Sequence, residues 1–346
     1  MFYSFIFILF FFNQVKTKSI VSINREANKI IKYVNNIPNN TWKAGFNFKS
    51  KQLKEIENIM GVLPINEKYT QSLEDLGFAI HHNSNNILDK DFNEIEVLPE
   101  NFDASKQWSK CKSILSVKNQ SNCGSCWALS TASVFSDRIC IATNGSIDNN
   151  LSGEYLLSCC TGSCGRGCNG GHPEKAWKFI INNGICTGGD YGSNEGCQPY
   201  SIAPSAVELS FENTADTPEC YHTCTNPHYT TPLQNDLYFA SKVYTVKPKM
   251  KPIMYEIYKN GPVVAAMKTY EDFFHYKSGI YQYKTGSSKG DHAIKLIGWG
   301  EENGMLYWLA VNTWGTLWGM DGIFKIKRGS NECGIESRIS GGLPKL

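Results

Sequence analysis

Thirteen cysteines, all between Cys111 and Cys333, set the tightest bound on what this 346-residue chain can fold into. The first 110 residues hold none. Such density suits a chain oxidised in the secretory route and stapled by disulfides. An odd count leaves at least one thiol free or paired outside the chain. The N-terminus fits the same route. Residues 2–12 are nearly all apolar, and Asn13, Gln14 and Lys16 end the run. That run is too short for a bilayer, which needs roughly 20 residues. It suits the core of a signal peptide over 1–19, although no charged stretch precedes it; a membrane anchor is the competing reading. Asn39, Asn144 and Asn150 begin glycosylation sequons. Asn119 also fits the pattern but adjoins the cysteine motif described below, so it is discounted.

Composition excludes some partners. With 41% hydrophobic and 19% charged residues the chain is globular. A net charge of +2 leaves no basic surplus to neutralise phosphates, so nucleic acid is not expected as a partner. The length allows two domains. Helical spacing runs through SINREANKIIKYVNN and KSKQLKEIENIM, and residues 81–97 are polar and Asn-rich, like a linker. Composition changes at LPENFDASKQW (98–108), so residues 20–97 form one unit and 98–346 another. CWALSTASVFSDRICIAT reads as a buried helix starting near Ser125 or Cys126. The stretch from Cys159 to Cys224 reads as loops punctuated by Gly and Cys. From about 238 onward strand signals dominate: FASKVYTV, GPVVAAMKTY, HAIKLIGWG, LYWLAVNTW and GIFKIKRG. The expectation is an α+β chain, helical over about 108–237 and β over about 238–340.

Residues 120–130, QSNCGSCWALS, carry a C-x-x-C. Three chemistries compete for it. Zinc would need four spaced ligands, and Cys159, Cys160, Cys164 and Cys168 are close enough to suggest disulfides instead. A redox pair would want a βαβ context that is missing. A nucleophile would sit at a helix N-terminus, where the dipole favours thiolate, and Cys126 is so placed. It would need an imidazole, and a group to orient that imidazole.

CGSCW (123–127) fits the C-G-[SA]-C-[WY] signature, and here the chain resembles the papain-like cysteine peptidases, in particular the cathepsin B group. HAIKLIGWG (292–300) resembles the family's histidine strand and VNTWGTLWG (311–319) its Asn-Ser-Trp-Gly segment, with Thr313 where serine is usual. SDRIC (136–140), CCTGSCGRGCNGGHPEKAW (159–177), DTPEC (216–220), EIYKNGPV (256–263) and CGIES (333–337) add the cathepsin B character. The resemblance implies a two-domain papain-like fold with a helical left domain, a β-barrel-like right domain and the active-site cleft between them. It implies a peptidase with no metal or cofactor. Cys126 would attack the peptide carbonyl, His292 would hold and deliver the proton, and Asn312 would orient His292. Gln120 and the Cys126 backbone N–H would form the oxyanion hole. Trp314 would shield the Asn–His bond. Gly170, Gly171, His172, Pro173, Ala293 and Arg338 would line the substrate site. The implied disulfides are Cys111–Cys140, Cys123–Cys168, Cys159–Cys220, Cys160–Cys164 and Cys197–Cys224, with Cys126, Cys186 and Cys333 free. NNTWKAGFNF (39–48) resembles the short pro-segment of cathepsin B zymogens, which lies along the cleft in reverse. That gives a pro-segment over 20–97 and a mature peptidase over 98–346. Peptide or protein substrates, the chain's own pro-segment and cystatin-type inhibitors are the implied partners, with no membrane partner after signal removal. A monomer is implied, in a lysosome, food vacuole or outside the cell.

The chain also departs from the group. The stretch corresponding to the occluding loop, 199–220, has no histidine, and no cysteine before Cys220. Val207 and Glu208 fall about where the paired histidines would be. Dipeptidyl carboxypeptidase action is therefore expected to be weak or absent. Arg338 stands where the group has an acidic residue in the pocket for the second residue before the scissile bond. Like charges repel, so arginine there should be used poorly and apolar or acidic residues preferred. Asp291, where glycine is usual, is expected to raise the His292 pKa. Two other readings stay open: a catalytically dead homologue that binds proteins, and a thiol acyltransferase or amidase of different fold. The intact Cys126, His292, Asn312 and Gln120 set argues against the first.

Overall fold

A computed structural model describes residues 25–48, 59–65, 98–204 and 214–346. The signal-like segment, most of KSKQLKEIENIM, the 81–97 linker and residues 205–213, with Val207 and Glu208, lie outside the described residues.

The helical half is built around a helix that is buried on every side over all but its last two residues. A first helix, α1, runs over 25–36. It is followed by α2 (Ala104–Gln107), α3 (Cys126–Ala142), α4 (Gly153–Cys159) and α5 (Pro173–Asn183). Along α3 every residue from Cys126 to Cys140 is buried. Small residues (Ala128, Ser130, Ala132, Ser133) recur along this buried stretch. Five disulfides close the loops around it: Cys111–Cys140, Cys123–Cys168, Cys159–Cys220, Cys160–Cys164 and Cys197–Cys224. Cys126, Cys186 and Cys333 are free thiols.

The loop-rich reading of 159–224 missed α5. Its signals were present: Pro173 in the first turn, Glu174 beside it, Ala176, Trp177 and Ile180 on one buried face, and Gly184 at φ +74° to stop it. Likewise α6 (Met250–Asn260) interrupts the β half, burying Ile253, Met254 and Ile257 and ending at Gly261.

The β half is one curved sheet. Its strands are β1 (Trp42–Ala44), β2 (Phe102–Asp103), β3 (Ala240–Val246), β4 (Val263–Tyr270), β5 (Tyr276–Tyr281), β6 (Ser288–Glu302), β7 (Met305–Val311), β8 (Ile323–Lys327) and β9 (Ile339–Pro344). The order is β1-β5-β8-β7-β6-β4-β9-β3, with β2 paired to β6. Among the named strands of the described residues, only β5–β8 is a parallel pair. The barrel-like expectation is corrected here: β1 and β3 are opposite ends of an open sheet and do not pair. The central strand β6 is buried from His292 to Gly300, so it shows no polar–apolar alternation.

Helix and sheet meet where chemistry will be needed. The Ser130 hydroxyl on α3 donates to the Ala293 carbonyl on β6 at 3.0 Å. The buried Asp137 carboxylate of α3 lies 2.9 Å from the Lys295 ammonium of β6. Arg138, fully buried, donates to the Pro262 carbonyl, the Tyr244 hydroxyl and Glu256. The first contact holds the start of α3 against the start of the buried run of β6, and the other two hold its last turns against the sheet and α6.

Candidate active site

Cys126 is the first residue of α3, and its Sγ accepts the Ala293 N–H at 3.4 Å. That contact places the thiol beside His292 on β6. The His292 ring has its Nε2 2.7 Å from Asn312 Oδ1. The same Oδ1 accepts the Thr313 N–H at 2.8 Å, which identifies it as the acceptor atom of the amide. An oxygen cannot donate, so Nε2 carries the proton and Nδ1 of the neutral ring is the bare base. Nδ1 has no hydrogen-bond partner among the described residues. The Trp314 ring lies against the imidazole, centroids 4.7 Å apart, and is itself packed on Phe274 and Trp318.

Gln120 is locked from both ends. The Thr313 hydroxyl donates to its Oε1 at 2.5 Å, and the Gln120 N–H donates to the Thr313 carbonyl at 2.9 Å. The Thr313 that departs from the usual serine therefore still supplies a hydroxyl. The free end, Nε2, donates to the Cys123 carbonyl at 2.8 Å and to the Ile59 carbonyl at 2.6 Å. Ile59 lies 61 residues upstream, in the first unit. A pro-segment carbonyl thus rests on the donor that would hold the oxygen of a tetrahedral intermediate.

The segment 59–63 then crosses Cys126. Gly61 packs so closely that a Cβ there would lie 2.1 Å from the Gly124 oxygen and 3.0 Å from Cys126 Sγ. The Gly61 carbonyl accepts the Gly171 N–H at 2.9 Å, the Leu63 N–H reaches the Gly171 carbonyl at 3.0 Å, and the Val62 N–H reaches the Asp291 carbonyl at 3.1 Å. Val62 pairs parallel with Gly171. Gly170, at φ +98°, makes the bend that presents Gly171 to this strand. His172 and Pro173 are the cap and first residue of α5. Arg338 Nη1 donates to the Leu63 carbonyl at 3.0 Å, while its other nitrogens are taken up by Glu174, at 2.6 and 2.7 Å. Glu174 and the segment 59–63 were not singled out from the sequence, and Glu174 had a signal in its place at the start of α5.

Burial under this segment reverses one expectation. The α3 N-terminus was expected to lower the thiol pKa. Complete burial instead pushes Cys126 up to about 11, outweighing the hydrogen bonds from the Ala293 and Gly61 backbone. Burial also drives His292 down to about 4, against the pull of the Asn312 hydrogen bond. The expectation that Asp291 raises the His292 pKa is corrected as well: burial lowers it, and the upward pull comes from Asn312. Between those values both groups are neutral. A thiolate–imidazolium pair under a dry cover would bear a desolvation cost that the cover does not compensate.

Among the described residues Cys186, Cys197 and Asp236 bring potential ligand atoms within 4.8 Å of one another. Cys197 is in a disulfide, and the Asp236 carboxylate accepts from Thr187 and Tyr229, so that cluster's donors serve the fold.

Residues 98–343 match the family described as papain family cysteine protease, and residues 27–66 match the peptidase family C1 propeptide. Cathepsin B-like cysteine proteinase 5 of Caenorhabditis elegans is 44% identical over 290 residues, covering 81% of this chain and 84% of that protein. Cathepsin B-like cysteine proteinase 4 of the same organism is 46% identical over 267 residues, covering 75% and 79%. The structure of proCathepsin B S9 from Trypanosoma congolense superposes with a TM-score of 0.76 at 35% identity, covering 92% of this chain and 98% of that one. Digestive procathepsin L 3 of Tenebrio molitor, at 19% identity and a TM-score of 0.66, shares the fold.

Proposed function

The chain belongs to the papain family of cysteine proteases as a cathepsin B-like zymogen, and on that premise we propose that its mature form is an endopeptidase acting through Cys126, His292, Asn312 and Gln120. The observation that carries the assignment is the Ile59 carbonyl on Gln120 Nε2, directly upstream of a backbone laid across Cys126. The pro-segment occupies the positions a substrate carbonyl and scissile bond would take.

Removing the segment re-solvates the site. The α3 dipole can then stabilise the thiolate, and the proton moves to Nδ1 of His292. The thiolate attacks the carbonyl carbon. The oxyanion is held by Gln120 Nε2 and the Cys126 N–H. His292 gives its proton to the leaving amine, and water later releases the acyl group from sulfur. The sulfur adds no net charge to this transfer, because the proton only moves from Cys126 to His292.

Carboxydipeptidase action is weak or absent in this reading, since 199–220 offers no histidine to hold a terminal carboxylate. Processing near Leu98, entry into the secretory route through 1–19, and a lysosomal, food-vacuole or extracellular destination belong to the same proposal. So do a monomeric mature enzyme, sensitivity to cystatin-type inhibitors, and substrate contacts from Gly170, Gly171, His172, Pro173, Ala293 and Trp314. Among the described residues no helix is long and apolar enough to cross a membrane.

The test is cleavage of fluorogenic peptides by the matured protein, with leucine against arginine at the second residue before the scissile bond. Turnover of the leucine peptide should fall by roughly 10⁴-fold or more in Cys126→Ala. Turnover surviving in Cys126→Ala would remove the nucleophile assignment. Release of C-terminal dipeptides from a free-carboxylate peptide at rates matching internal cleavage would remove the endopeptidase reading.

A further inference from the structure

Leu63 is two residues from Gly61, which covers the thiol, so the wall around Leu63 is where the second residue of a substrate would lie. Arg338, whose Nη1 donates to the Leu63 carbonyl, also lines a cleft of about 540 Å³ together with Ala266, Met267 and Asp291. Arg338 reaches this cleft from an ion pair internal to the protein. Glu174, 2% exposed, takes Arg338 Nε on one carboxylate oxygen at 2.6 Å and Nη2 on the other at 2.7 Å. His172 Nδ1 lies 3.3 Å from the same Nη2. Burial pushes the Glu174 carboxyl up, and the Arg338 charge and hydrogen bonds more than offset this, so the carboxylate stays ionised.

Planar, two-pronged pairing of this kind is how a carboxylate recognises a guanidinium group. The partner need not come from the same chain. We propose that Glu174 is a specificity-determining carboxylate whose guanidinium ligand is supplied by Arg338, so that the pocket is filled from within. Basic side chains are then shut out because their site is taken, rather than because an unbalanced positive charge repels them. The difference is testable. Repulsion alone leaves an apolar pocket once Arg338 is neutralised. A masked carboxylate leaves a pocket that binds arginine.

The proposal rests on the peptidase reading, and leucine-peptide turnover that depends on Cys126 checks that reading separately. The experiment measures kcat/KM of the matured enzyme on peptides differing only at the second residue, as ratios within each variant, so that any general loss cancels. In Arg338→Gln the arginine-to-leucine ratio should rise roughly tenfold or more, carried by KM, the size expected of a charge-assisted contact. In the Glu174→Gln/Arg338→Gln double variant that gain should vanish. A ratio unchanged in Arg338→Gln, or a gain that persists in the double variant, overturns the proposal. Arg338→Gln leaves a buried carboxylate without its partner and could fail to fold. Glu174→Gln then decides the matter: with its counter-ion gone, Arg338 should raise the glutamate-to-leucine ratio roughly tenfold, and an unchanged ratio overturns the proposal.

Discussion

All five disulfides lie between Cys111 and Cys224, in the helical half. Among the described residues the sheet half has none. It packs Phe273, Tyr276, Tyr281, Trp314, Trp318 and Phe324 into one aromatic cluster instead. The helical half draws long loops around a single buried helix, and loops bury little apolar surface per residue, so cross-links limit the unfolded chain there. The sheet half gets its cohesion from strand pairing and large side chains, each contributing about 1.5–3 kcal/mol on burial. The proposed catalytic set draws on both halves: Cys126 from the stapled side, His292 and Asn312 from the unstapled one. The pro-segment also spans both. Trp42 of β1 docks on Tyr276 and Tyr281, and Val62 packs with the apolar cluster around α3.

The largest expected break of this contrast comes from Trp42→Ala. The ring is 1% exposed, and its Nε1–H donates to the Gln282 carbonyl at 2.9 Å. Its loss should cost about 3–5 kcal/mol of pro-segment docking. Read as the inhibition constant of the isolated pro-segment against mature enzyme, that is a weakening of at least a hundredfold. A change under threefold would mean the grip lies on the helical half instead.

The next effect tests the staples. Cys159 and Cys220 are 61 residues apart, and replacing both by serine should lower stability by about 3–4 kcal/mol. Hydrogen exchange should rise in α4 and the neighbouring loops, with β6 and β7 still protected. Equal loss of protection in the sheet would show that the two halves unfold as one unit.

The smallest effect concerns pH. His275 is 6% exposed, beneath Phe46 of the pro-segment, and neither ring nitrogen completes a hydrogen bond among the described residues. Burial holds it down to about 4, against the Gly45 backbone and Glu271. A depressed imidazole pKa means docking is favoured while the ring is neutral. Docking is therefore at full strength above about 6.5, the ordinary value. It weakens as pH falls toward 4, by at most about tenfold per unit. His275→Gln should flatten that profile by up to one proton. An unaltered slope would place the acid response in other groups.

Much of this was legible in the sequence. The α3 start at Cys126 followed from apolar spacing without Gly or Pro, and the five strand signals from aromatic and β-branched runs between turns. Helices α5 and α6 were hidden because Gly and Cys crowd the first and strands flank the second. The residues proposed as catalytic could be named from motifs, but their protonation could not. The thiol's pKa depends on a cover 65 residues upstream, and no local property of α3 reports it. The Glu174–Arg338 pair was equally out of reach, since 164 residues separate its members.

Gly61 has a consequence for heredity. The closeness of its backbone to Gly124 and Cys126 Sγ leaves no room for any side chain. A substitution there would leave Cys126, His292, Asn312 and Gln120 unchanged and disturb the cover laid across them. Most lesions in an enzyme gene silence the product. A lesion at this codon is expected to act the other way, by weakening the hold of residues 59–63 on Cys126 and so shortening the latency of the zymogen.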